Sequence, residues 1–136
     1  MIDHNTTKRT AARTTAGTSY TAAIDTGSPL GVGNIVGQCK LRLTNPLIDG
    51  LTNAKTVTFT VQDSADNSDF ADVVGLPARA VTGAGGLGGA AGTINWEWST
   101  PLRRYIRVKE VVEATPGTII AYNYDFSLVL QGTPGI

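Results

Sequence analysis

Between residues 120 and 131 the chain alternates strictly. Ile120, Tyr122, Tyr124, Phe126, Leu128 and Leu130 are apolar or aromatic, and between them stand Ala121, Asn123, Asp125, Ser127, Val129 and Gln131. A helix would scatter the first set around its circumference, whereas a strand places all six on one face. A strand sealed on one side needs a second layer to seal it. This restricts the chain to packed-sheet architectures.

The same period of two recurs upstream. Over residues 55–63, Val57, Phe59 and Val61 oppose Thr56, Thr58, Thr60 and Gln62. Over 35–43, Cys39, Leu41 and Leu43 oppose Lys40 and Arg42, and Asn45-Pro46 ends the run because proline offers no ladder donor. Ile94, Trp96 and Trp98 share a face, and within 103–113 Ile106 and Val108 oppose Tyr105, Arg107 and Lys109. Shorter strands are expected at 20–24 and 70–75. Turn chemistry separates these runs: a Gly- and Pro-containing loop at 26–34, the Asp/Asn/Ser run at 63–69, a Gly/Ala loop at 82–92 expected to be flexible, and Thr-Pro-Gly at 115–117. About seven or eight strands without intervening helical patterns predict an all-β fold, an antiparallel β-sandwich of jelly-roll type. Residues 1–18 are polar and Thr-rich, carry Lys8, Arg9 and Arg13, and offer almost nothing to bury. They are expected as an extended, flexible N-terminal arm ahead of a single sandwich domain over 19–136.

Composition agrees and narrows the function classes. Hydrophobic residues make up 41% and charged residues 16%, the latter well below the roughly 25% of an average domain. Eleven basic and eleven acidic residues give a formal net charge of zero. Nucleic-acid binders carry a basic excess, so no nucleic-acid partner is expected. Weak self-repulsion suits a subunit of an assembly. The single cysteine rules out an intrachain disulfide. The first 18 residues lack a signal peptide's apolar core and no run is long enough to span a bilayer, so synthesis in a cytoplasm without a membrane partner is expected.

The residues that carry chemistry elsewhere are isolated here. His4 is the only histidine and lies in the arm, without an orienting partner. Cys39 reads as a small strand hydrophobe rather than a nucleophile. One Cys and one His cannot build an ordinary zinc site. Asp63, Asp66, Asn67 and Asp69 lack the ligand spacing of a calcium loop and read as turn formers. The Gly-rich loop lacks the Lys and following helix of a phosphate cradle. No catalytic, metal or cofactor site is therefore expected, and the chain is read as no enzyme. Arg103, Arg104 and Arg107, with Lys109 beside them, form the one basic cluster. They read as a solvated or ion-pairing surface, and with Lys8, Arg9 and Arg13 they are the candidate subunit contacts. Trp96, Trp98 and Tyr105 suggest a core or an interface face first and a sugar-binding platform third.

Three segments together resemble the capsid cement, or decoration, proteins of tailed bacteriophages, in particular the family typified by the Bordetella phage cement protein. They are the strand and turn at 56–70, the Arg-Arg-Tyr-Ile-Arg-Val run at 103–108 following Pro101-Leu102, and the alternating strand after 115–117. The resemblance covers residues 28–130; the arm and the Gly-rich loop fall outside its matched motifs. It implies a jelly-roll-like homotrimer on the outer capsid surface of a virion. There it would clamp neighbouring major capsid subunits and stabilise the DNA-filled head. The alternatives are a carbohydrate- or receptor-binding sandwich module, or a tail or baseplate structural protein, of a virion.

Overall fold

The structure is a computed structural model that describes residues 2–9, 16–25, 39–96 and 103–130; for 2–9, 39–40 and 128–130 it describes the backbone alone. Among the described residues ten strands follow one another: β1 (Ile2–Arg9), β2 (Gly17–Tyr20), β3 (Ile24–Asp25), β4 (Cys39–Asn45), β5 (Thr56–Ser64), β6 (Ala71–Asp72), β7 (Arg79–Thr82), β8 (Gly92–Trp96), β9 (Tyr105–Val112) and β10 (Asp125–Leu130). All the pairings between them are antiparallel.

The strands form two sheets. One has the order β1-β10-β4-β8. The other has the order β2-β9-β5-β6, with β3 also beside β9 and β7 also beside β5. With β2–β3 and β6–β7 each taken as one interrupted strand, the described residues form eight strands. It crosses between the sheets at every connection except the one after β5, which stays in its own sheet. This alternation is the jelly-roll winding, in which each sheet draws strands from both halves of the chain. Almost every strand partner is therefore distant in sequence.

The period-2 pattern decides which faces meet. β9 alternates half-buried and buried residues along its whole length, with Ile106, Val108 and Val112 inward. Val57, Phe59 and Val61 of β5 pack beside them, and Leu41, Leu43, Trp96 and Phe126 close the core from the facing sheet. Phe59 meets Tyr124 edge to face, with ring centroids 4.7 Å apart, an arrangement aromatic quadrupoles favour.

Three elements depart from the sequence reading. First, residues 2–9, expected as part of an arm, pair along β10, with Lys8 opposite Phe126 and Arg9 opposite Asp125. Residues 17 and 18 likewise belong to β2, opposite Val112 and Val111. An edge strand is held by main-chain hydrogen bonds, which any composition except proline supplies, so a segment with nothing to bury can still join a sheet.

Second, the alternation at 120–131 is only half a strand. β10 begins at Asp125, opposite Thr44. β4 ends one residue later, before Pro46, so residues preceding Tyr124 have no β4 ladder to join. Thr115 and Gly117 both adopt positive φ, and the backbone N–H of Ile120 donates to the carbonyl of Asp49. The outcome places Ile119 inward and leaves Ile120, expected on the apolar face, 59% exposed. Tyr122 and Tyr124 stay buried without being in a strand.

Third, the Gly-rich loop at 82–92 is knitted to its neighbours. Ile48 and Gly89 exchange two backbone hydrogen bonds of 2.8 and 2.9 Å, Gly83 donates to the Lys55 carbonyl, and Ala54 donates to that of Gly83. Glycine serves close approach here: a Cβ on Gly83 would stand 2.1 Å from the Thr52 carbonyl oxygen. Gly83→Ala is therefore expected to cost about 1–3 kcal/mol through overpacking against backbone that cannot move aside. Chemical denaturation measures this directly, and an unchanged midpoint would contradict the close packing.

Candidate functional site

β9 is a central strand of its sheet, flanked by β5 on one side and by β2 and β3 on the other. Its outward residues, together with Arg103 and Arg104 just before it, carry the basic cluster. The geometry shows where each cation goes. Arg103 clamps Asp63 near the end of β5: Nη2 and Nε donate to Oδ1 at 2.8 and 3.0 Å, and the backbone N–H donates to Oδ2 at 3.0 Å. A further Nη2 bond reaches the Asp63 carbonyl oxygen. Arg104 forms a fork on Asp25 of β3, at 2.7 and 3.0 Å, which holds its proton affinity above the ordinary value. Lys109 meets Asp72 of β6 at 3.0 Å.

Arg107 lies differently. Its guanidinium sits 3.9 Å from the ring centroid of Tyr20 on β2 and 3.9 Å from that of Phe70, just ahead of β6. Partial desolvation there lowers its proton affinity from the ordinary value, while the rings supply cation–π attraction. Its Nε donates to Gln62, whose amide donates in turn to Asp72. The Gln62 amide first, and then Lys109, hold the Asp72 carboxyl below the usual carboxylate range. The network runs across four elements, from Tyr20 through Arg107 and Gln62 to Asp72. It pins the short outer pieces β2 and β6 to the long central pair β9–β5.

Of the six candidate contact residues, Arg103, Arg104 and Arg107 are thus brought together, and each has partners within the chain. Lys8 and Arg9 belong to β1, in the other sheet, and their side chains lie outside the described residues, as does Arg13. Among the described residues, Trp96 and Tyr105 are not brought together as an aromatic platform. Trp96 is buried on β8, with its indole N–H donating to the Pro77 carbonyl at 2.6 Å, whereas Tyr105 belongs to the opposite sheet. Trp98 lies outside the described residues, and so do the side chains of His4 and Cys39.

The turn at 63–69 uses its acidic residues as turn chemistry. Asp66 Oδ1 accepts from the backbone N–H groups of Asp69 and Ser68 and from the Ser64 hydroxyl. In that order these bonds lower the Asp66 pKa to about 2 from its ordinary 3.8. A carboxyl lowered on folding binds its proton more weakly in the native state. Its contribution is fully present above the unfolded value near 4 and is lost as pH falls through about 2. A carboxyl-carbon NMR titration is expected to show Asp66 still ionised at pH 3; a midpoint near 4 would contradict the turn.

One inward residue escapes the sequence reading. Glu110 falls on the buried face of β9, between Val108 and Val112, and is fully enclosed. It accepts from the Ser19 hydroxyl at 3.0 Å and from the Tyr122 hydroxyl at 2.6 Å. The strand period placed it inward all along, since it stands two residues past Val108.

The opposite end of the sandwich has another character. The loops carrying Leu47, Leu87 and Ile120, which are 51%, 78% and 59% exposed, are joined there by the Ile48–Gly89 bonds and by Ile120 to Asp49.

No family model and no curated protein sequence matches the chain. Among solved structures it is similar to the crystal structure of PirA, with a TM-score of 0.52 and 8% identity over 93% of this chain and 96% of that one. At that identity the likeness concerns the fold alone, and the fold is an all-β, antiparallel sandwich.

Proposed function

We propose that this protein is a structural component of a phage virion. In this reading it decorates the outside of the capsid as a homotrimer and clamps neighbouring major capsid subunits, which stabilises the DNA-filled head. The observation that carries the reading is the placement of the Arg-Arg-Tyr-Ile-Arg run. This is the most specific piece of the cement-protein resemblance, and it leads into a central strand of a jelly roll, where its cations tie both flanking edges to the sheet. A cross-linked, two-sheet body suits a clamp, which must transmit load between the subunits it bridges without deforming. Three such bodies in a closed ring engage their sites together, so weak individual contacts sum through effective concentration.

Light scattering on the purified protein, free or bound to shells, is expected to give three times the 14.2 kDa chain mass. Heads made without the protein are expected to lose their DNA at lower temperature than complete heads. Equal resistance of the two to heat and to DNA packaging would overturn the proposal, and a strictly monomeric protein on the shell would remove the trimer from it.

A further inference from the structure

We draw no further inference here: the strongest candidate, the apolar surface that Leu47, Leu87 and Ile120 present on the loops at one end of the sandwich, carries nothing because nothing in the structure shows what covers it.

Discussion

Replacing Phe59 by alanine is expected to remove about 3–5 kcal/mol of folding stability, a large part of the total for a domain of this size. Phe59 is fully enclosed on β5, at the centre of the inward row Val57, Phe59, Val61. The loss has two sources: transfer of the ring back toward water in the unfolded chain, and a cavity that the two sheets cannot close. The sheets are held apart by the other large side chains between them, Trp96, Tyr124 and Phe126 among them, so relaxation is limited. The edge-to-face contact with Tyr124 is lost as well, a term of about 0.5–1.5 kcal/mol beyond area. Urea denaturation is the measurement, and the slope with denaturant is expected to stay near that of the unaltered protein. Thr58→Ala, one residue away on the outer face, is the control and should shift stability far less. Similar losses at the two positions would mean that the faces of β5 have been assigned wrongly.

The second large effect is expected at Glu110. Glu110→Ala removes the acceptor for two hydroxyl donors, Ser19 on β2 and Tyr122 in the segment leading into β10, and leaves a hole where the carboxyl stood. A buried polar group stripped of its partner costs about 1–3 kcal/mol. The buried Tyr122 hydroxyl is such a group, whereas Ser19 is half-buried and its hydroxyl can turn to water, so with the cavity the expected loss is about 2 kcal/mol or more. Because Tyr122 leads into the sheet facing β9, the bond is a tie between layers. Tyr122→Phe should therefore recover only part of the effect, and a double-mutant cycle should show the two positions coupled. Independent, additive losses at Glu110 and Tyr122 would show that the 2.6 Å contact carries no energy of its own.

These two residues also show how far local pattern reaches. Phe59 was legible from its neighbours: with Val57 and Val61 inward and threonines outward, only one face of the strand could be buried. Trp96 and Phe126 followed from the same rule. Glu110 follows the rule too, but a carboxyl goes inward only where donors meet it. Those donors lie 91 and 12 residues away in the chain. The basic cluster divides in the same way. Its location in and just before one strand is plain from residues 103–109. The partners of its cations, Asp63, Asp25, Asp72 and the rings of Tyr20 and Phe70, come from separate segments joined by the sheet.

By itself the sequence determined the secondary-structure class, the strands at β5 and β9, the proline that ends β4, and the inward rows that make the core. These follow from side-chain size and a period of two, which are properties of a few consecutive residues. Tertiary structure decided that residues 2–9 join a sheet, that β10 starts at Asp125, that Ile119 and not Ile120 is buried, and that the glycines at 83 and 89 are packing positions. Each of these depends on whether a partner strand or carbonyl stands alongside. In a jelly roll that partner comes from a distant part of the chain, so no local pattern announces it.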